Sequence, residues 1–375
     1  MKIGCPKESK EQEYRVALTP SSVKTLVDDG FEVWVEHHAG LGISCSDKDY
    51  ELAGAKIASN ADALFDCAEL IVKVKEPNHV ERMLLKPKHT LFTFLHLASD
   101  PEQAQELIDS NAVCIAYETV TDDQGGLPLL TPMSEIAGRL SVQEAAAHLG
   151  KHKGGMGVLL GGATGVPPGH VVIIGGGVVG MNACKIALGL GAKVTILDKS
   201  EQRLQQLNKQ FSGQVNCLIS NEKTLAQNAI DADLLIGAVL VPGGAAAKLI
   251  PASLVKKMKP GSVIADVAID QGGCCENSRP TTHKNPSFMI DGVIHYCVSN
   301  IPGAVPQTAS EALNIATLPF IRELANKGTY AALTENKHLR NGLNVCRGRV
   351  TRPEVAKDLG LAYTEAGLAL KDITA

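Results

Sequence analysis

His170-Val-Val-Ile-Ile-Gly175-Gly176-Gly177-Val178-Val179-Gly180 is the stretch whose reading decides the fold. Four apolar residues read as a buried strand, the three glycines as a tight turn, and the residues from Val178 as a helix. A second strand, Lys193-Val-Thr-Ile-Leu197, runs into Asp198, eighteen residues after Gly180. Strand, glycine turn, helix, strand and acid at this spacing predict a dinucleotide site. Gly175 permits the turn, Gly177 lets the backbone approach a pyrophosphate, and Gly180 lets the helix pack close to the strand. The free N–H groups and positive dipole end of that helix suit phosphates. Asp198 can accept hydrogen bonds from both ribose hydroxyls and would repel a 2′-phosphate, which favours NAD over NADP.

Outward from this centre, 375 residues suit two or three domains of about 150 residues each. A hydrophobic fraction of 45% and a net charge of −4 fit a globular chain. With no long basic run, neither nucleic acid nor an anionic membrane is the expected partner. The first residues show no apolar signal-peptide core. Residues 154–184 contain no Asp, Glu, Lys or Arg, but Gly161-Gly162, Gly165 and Pro167-Pro168-Gly169 cut the stretch into pieces too short to span a bilayer. The ten cysteines include no CxxC pair and no metal-type spacing, so reduced, mostly buried thiols in a cytoplasm are expected, and no metal.

Residues 1–128 alternate apolar runs with helical patterns, which implies a mainly parallel sheet. Strands are expected at Lys2-Ile-Gly, Phe31-Glu-Val-Trp-Val35, Leu70-Ile-Val-Lys-Val74, Thr90-Leu-Phe-Thr-Phe-Leu95 and Ala112-Val-Cys-Ile-Ala116. Thr19-Pro20-Ser21-Ser22 offers a cap and an early proline for a helix that Gly30 stops. A long helix is expected from 132 or 133 to about 149. Beyond the glycine turn, Asp233-Leu-Leu-Ile-Gly-Ala-Val-Leu240, Ser262-Val-Ile-Ala-Asp-Val-Ala-Ile269 and Val293-Ile-His-Tyr-Cys-Val298 read as strands. A helix over 308–325 would return the chain to the first domain. The expected class is α/β, with two doubly wound Rossmann-like domains. A nucleotide domain over 129–306 is inserted into a discontinuous domain made of 1–128 and 307–375.

Polar residues follow the predicted strands with regularity: Lys75, His96, Asp198 and Asp270. Ligands of open parallel sheets bind at the carboxyl ends of strands. His96 is a candidate acid/base, Asp270 precedes a Gln-Gly-Gly turn, and Lys75 offers a point charge. Lys73 would share a sheet face with Lys75, so alternation alone does not choose between them. Arg15 reads by itself as a surface arginine paired to Glu11 or Glu13; its functional reading is a bidentate carboxylate clamp.

At these residues the chain resembles the NAD-dependent alanine dehydrogenase family over essentially its whole length. The motifs are Pro6-Lys7-Glu8 with Arg15-Val-Ala-Leu-Thr-Pro20, Val74-Lys75-Glu76-Pro77, Leu91-Phe-Thr-Phe-Leu-His96-Leu and Leu129-Leu-Thr-Pro-Met-Ser-Glu-Ile-Ala-Gly138-Arg139. The glycine turn, Asp266-Val-Ala-Ile-Asp270-Gln-Gly-Gly, Pro280-Thr-Thr-His283 and Pro302-Gly-Ala-Val-Pro306 complete the set. The resemblance implies that Arg15 and Lys75 bind substrate and that His96 and Asp270 are the acid/base residues. It implies an NAD site of Ser134, Gly175, Gly177, Val178, Val179, Gly180, Asp198, Arg203, Ser220, Val239, Leu240 and Arg279. Val267, Ala268, Ile269 and Asp270, with Val298, Ser299, Asn300 and Ile301, would lie beside the nicotinamide. It also implies reversible conversion of L-alanine to pyruvate and ammonium, and a homohexamer. Gln307, where arginine is common, and Cys275, beside Cys274, are small departures. The rival readings are an NAD(H)-binding transhydrogenase component and a non-catalytic NAD-binding protein.

Overall fold

The computed structural model describes residues 1–239 and 246–373. The chain divides into two compact units, Met1–Met133 with Val305–Ala375, and Ser134–Ala304. In chain order the strands are β1 (Lys2–Cys5), β2 (Glu32–Glu36), β3 (Lys56–Ala58), β4 (Leu70–Val72), β5 (Thr90–Thr93), β6 (Val113–Ala116), β7 (His170–Ile174), β8 (Lys193–Asp198), β9 (Asn216–Ile219), β10 (Leu234–Gly237), β11 (Val263–Asp266), β12 (Ser287–Ile290), β13 (Val293–Tyr296), β14 (Leu343–Cys346) and β15 (Arg349–Val350).

The sheet of the first unit has the order β15-β14-β6-β5-β4-β1-β2-β3. From β6 to β3 every pair is parallel; β14 and β15 join antiparallel. The sheet of the second unit has the order β12-β13-β11-β10-β7-β8-β9, parallel except for β12. Both therefore contain the doubly wound 3-2-1-4-5-6 arrangement, whose ligand crevice opens where the strand order reverses. In the first unit that point lies between β1 and β4, and in the second between β7 and β10.

The elements form for local reasons. β4, β5, β6 and β10 are buried along their whole length, as expected of strands covered on both faces. Thr19 caps the helix Pro20–Asp28 by accepting from Ser22 N, with Pro20 at its first turn. Gly30 then takes the left-handed backbone that ends it, at φ +91°. Asp100 caps the helix Pro101–Asp109 in the same way. The helix Pro306–Lys327 belongs to the first unit. Its Ser310 Oγ accepts from Val16 N at 3.0 Å and its Asn314 Oδ1 from Thr19 N at 2.9 Å, which fixes the segment that follows Arg15.

Several strands end earlier than the apolar runs suggest. The run expected to reach Ile269 stops at Asp266, and Val267–Gln271 forms one 3-10 turn. The cause is the Asp266 carboxylate, which is fully buried. It accepts from Cys274 N at 3.1 Å, Cys275 N at 3.0 Å and Ser278 Oγ at 2.6 Å, so the chain must fold back over it. Asp270 consequently sits within that turn rather than directly after a strand. The short strands β3, β9, β12, β14 and β15 were not evident from the apolar pattern.

Candidate active site

In the second unit the glycine turn is shaped by close contacts on one side and space on the other. Gly175 has φ +99°, and a Cβ there would lie 2.6 Å from Ala238 O. A Cβ on Gly180 would stand 1.9 Å from Gly175 O, whereas one on Gly177 would meet no atom of the described residues within 4 Å. The helix Val178–Gly189 starts at Gly177 without a side-chain cap, so its first N–H groups keep their capacity for an anion. Asp198 Oδ2 accepts from Gly176 N at 2.7 Å and Oδ1 from Ser200 N at 2.8 Å. Arg203 Nε donates to Gly176 O at 2.6 Å. Acid, arginine and turn are thus one hydrogen-bonded assembly, and room, donors and acid fit a dinucleotide.

The other proposed cofactor residues of this unit follow strand ends. Ser220 N donates to Asp198 O at 2.8 Å. Val239 follows β10 and is half-buried; Leu240 lies outside the described residues. Asp270 is exposed, while Ala268 and Ile269 are buried beneath it. Beyond β13, Val298 bridges Thr281 and Asn300 takes a left-handed backbone at φ +66°, leading into the turn Ile301–Ala304. Arg279 lies over the Phe288 ring, 4.4 Å from its centre. Ser134 is in the first turns of the helix Thr131–His148. A Cβ on Gly138 of that helix would stand 2.2 Å from Val179 O, which brings Ser134's helix against the start of the helix after the glycine turn.

In the first unit, Arg15 is 2% exposed, not the surface residue its polar neighbours suggest. Its Nε and Nη2 donate to Glu13 at 2.7 and 2.5 Å, and Nη1 lies 3.1 Å from Met133 Sδ. The two lysines separate cleanly, and the shared face expected from alternation does not hold. Lys73 is fully buried, with Nζ 2.7 Å from Glu81 and 3.4 Å from Glu8. Burial alone would discharge it, but the two glutamates hold its ammonium above the ordinary range. Lys75, past the strand end, keeps a partly exposed side chain 3.7 Å from Glu76 Oε2. Burial acts to raise the Glu76 carboxyl, yet Lys75 and Lys10 outweigh it and hold it down to about 2.

Lys75 and His96 emerge side by side. Phe94 N donates to Val74 O at 3.2 Å and Thr93 Oγ1 to Lys75 O at 3.0 Å. His96 itself is in the left-handed region at φ +50°. That conformation costs a non-glycine residue roughly 1–2 kcal/mol. It is offset here because Glu118 Oε1 accepts from His96 N at 2.7 Å, and both its oxygens lie 3.2 Å from Leu95 N; bonds to a charged acceptor contribute about 1.5–3 kcal/mol each.

A pattern that sequence reading missed joins these residues. Each has its backbone N–H held by a glutamate: Arg15 by Glu13 at 3.0 Å, Lys75 by Glu8 at 3.3 Å, and His96 by Glu118. Glu8 also accepts from Val74 N at 2.7 Å. Only Glu13, two residues from Arg15, was within sight of a local reading; the others depend on sheet order. A cavity of about 350 Å³ in this unit is lined by Thr90, Val113, Lys327, Thr329 and Arg347. It opens at the amino ends of β5 and β6, the edge away from Lys75 and His96.

Among the described residues, two groups bring three possible metal-binding side chains together, His37–His38–Asp47 and His79–Glu102–Glu106. In each a histidine Nδ1 is already bonded to a carboxylate, His37 to Asp47 and His79 to Glu106. No helix among the described residues is long and apolar enough to cross a membrane.

Two doubly wound sheets, one with a glycine turn braced by an acid and one with basic residues braced by acids, define a two-unit nucleotide-binding protein of the dehydrogenase class. The chain belongs to the alanine dehydrogenase/PNT family, whose N-terminal domain model matches residues 4–137 and whose C-terminal domain model matches residues 141–353. It is 53% identical over 366 residues to alanine dehydrogenase of Halomonas elongata, covering 98% of this chain and 99% of that protein. It is 51% identical over 373 residues to alanine dehydrogenase of Bacillus subtilis, covering 99% and 98%. Among solved structures, an L-alanine dehydrogenase matches with a TM-score of 0.92 at 51% identity, over 96% of this chain and 99% of that one. A transhydrogenase from Sinorhizobium meliloti matches with a TM-score of 0.80 at 25% identity, over 94% and 99%.

Proposed function

We propose that this chain catalyses the reversible NAD-dependent oxidative deamination of L-alanine to pyruvate and ammonia. One observation carries the reading. Lys75 and His96, an ammonium and an imidazole, follow the adjacent strands β4 and β5 of the first sheet, and each, like the guanidinium-bearing Arg15, has its backbone N–H held by a glutamate. That combination supports an α-amino acid: a guanidinium, with Nε and Nη2 already on Glu13, for its carboxylate, a point charge for its keto or amino group, and a base. The similarity to proteins named alanine dehydrogenase supports alanine as the substrate.

NAD, when bound, supplies the acceptor for the Cα hydride. In this reading the 175–180 turn and Asp198 hold it, with Arg203, Ser220, Val239, Leu240, Ser134, Arg279, and the 267–270 and 298–301 segments around it. Arg15 and Lys75 fix the substrate so that one face of Cα is presented; such positioning lowers a barrier by several kcal/mol, roughly 7–11 at its limit. His96 takes a proton from the water that attacks the imine carbon of the oxidised substrate and returns it as ammonia leaves. Asp270 shares that proton traffic. The reading includes a homohexamer, on the family resemblance, working in a cytoplasm. Seven of the ten cysteines are buried, as small hydrophobes of a reducing compartment would be.

Purified protein should reduce NAD with L-alanine and oxidise NADH with pyruvate plus ammonium. Absence of turnover in both directions, despite NADH binding, would refute the activity. The likeness to a transhydrogenase raises a second reading, hydride exchange between two nicotinamides. Exchange between NADPH and an NAD analogue without any amino acid would favour it.

A further inference from the structure

We infer that Glu118 is a positioning residue for His96, acting through the backbone; the inference rests on the role proposed above for His96. β5 and β6 are parallel, with Thr93 beside Ala116. The next residues of each strand therefore meet, and the 3-10 turn Tyr117–Thr119 turns Glu118 toward the Leu95–His96 corner. All four backbone groups of that corner are held by side chains. Glu118 takes the two N–H groups. Gln103, fully buried, donates from Nε2 to Leu95 O at 2.7 Å, and Ser99 Oγ donates to His96 O at 2.9 Å.

The imidazole is treated differently. Its Nδ1 lies 4.0 Å from Glu118 Oε1, beyond hydrogen-bond reach. It lies parallel to the Phe94 ring, with centroids 5.8 Å apart and planes within 1°. The side chain is 40% exposed, with the Phe94 ring on one face. The left-handed backbone beneath it sets the direction of the Cα–Cβ bond that carries the ring. Glu118 supplies the acceptor that keeps two converging N–H groups in that conformation. A carboxylate orienting a histidine is usually bonded to the ring; here it grips the chain that carries the ring.

The test uses the full-length protein with Glu118→Ala and Glu118→Gln. A glutamine keeps one acceptor oxygen within reach of both N–H groups and removes the charge. Amide hydrogen exchange at Leu95 and His96 should quicken about tenfold or more in Glu118→Ala and stay near the parent rate in Glu118→Gln. With L-alanine, Glu118→Ala should lower kcat about 10- to 100-fold. KM for alanine and NADH affinity should hold, because Arg15 and Lys75 have their own glutamates. Glu118→Gln should restore most of kcat, and Glu118→Ala added to His96→Ala should bring no further loss. Unchanged exchange, a parental kcat in Glu118→Ala, no rescue by glutamine, or an equal loss in the His96→Ala background would each overturn the inference. If the parent protein turned over no alanine, the proposed activity would fail while the exchange measurement still decided the role of Glu118.

Discussion

Alanine at Gly177 and at Gly180 should do opposite things, although the two glycines are three residues apart in one turn. A Cβ on Gly180 would stand 1.9 Å from Gly175 O, where ordinary contact begins near 3.4 Å. Turn and helix would have to separate by the difference, 3.4 less 1.9, or 1.5 Å. Both sides of the contact are backbone, so no side chain can swing away. Overpacking costs about 1–3 kcal/mol, and this geometry belongs at the upper end. Alanine in a helix recovers roughly 0.5–1 kcal/mol of that. The net loss is about 2 kcal/mol, a melting temperature roughly 4–8 °C lower for a unit of this size. Among the described residues a Cβ on Gly177 meets no atom within 4 Å, so Gly177→Ala should melt within about 3 °C of the parent, the residue being a helix cap where alanine is only mildly worse. Its methyl would occupy the pyrophosphate position and remove at least one charge-assisted bond, about 1.5–3 kcal/mol, or roughly 10- to 100-fold in NADH affinity. Thermal melts and NADH fluorescence titrations of both variants separate the effects. Parental NADH affinity in Gly177→Ala would show that the pyrophosphate does not lie at this turn. An unshifted melt in Gly180→Ala would refute the close-packing argument.

Three further outcomes are expected. Asp198→Asn keeps one acceptor for the ribose and removes the charge, so the NAD:NADP preference in binding should fall about tenfold or more; an unchanged ratio would exclude Asp198 as the discriminator. Lys73→Met leaves Glu8 and Glu81 buried without their cation and should cost about 3–5 kcal/mol, read by urea unfolding near neutral pH; a loss under about 1 kcal/mol would mean that the triad behaves as a surface pair. Burial holds the His295 imidazole down to about 4, against the pull of Asp266 and Asp291, and neither ring nitrogen has a hydrogen-bond partner among the described residues. Because the folded state keeps His295 neutral, stability is full above the ordinary 6.5 and is lost as pH falls toward about 4, by roughly 3 kcal/mol. His295→Leu should flatten that part of the profile, and equal losses in parent and variant between pH about 7 and about 4.5 would contradict the assignment.

What could be read from the sequence, and what could not, follows from how far each interaction reaches along the chain. The β7 turn, its helix and Asp198 lie within one βαβ unit, so glycine spacing exposed them. Thr19 declared its helix because capping acts over three residues. The end of β11 at Asp266 is hidden in the sequence because that acid stands inside an apolar run. A buried acid inside such a run needs donors, and its donors lie 8 to 12 residues ahead. Lys73 and Lys75 looked equivalent because periodicity knows nothing of Glu8, 66 residues away from Val74.

The two sheets share one strand order yet differ in how they hold their edges, and that difference governs what is legible. The edge of the second sheet is shaped by absent side chains. Gly175, Gly177 and Gly180 bring main-chain donors to the surface, and an omitted Cβ is visible as a letter in the sequence. The edge of the first sheet presents three side chains of high charge density or acid/base character, and glycine cannot aim a side chain. Arg15, Lys75 and His96 are aimed by fixing the peptide beneath each, and the fixing groups are Glu13, Glu8 and Glu118. A glutamate is the suitable brace because it accepts two N–H groups at once and, beside a cation, offsets the charge brought to the edge. Since Glu8 and Glu118 come from neighbouring strands rather than neighbouring residues, that edge becomes readable only once strand order is known. The doubly wound order therefore does more than open a crevice: it delivers to Lys75 and His96 the acids that hold their backbones.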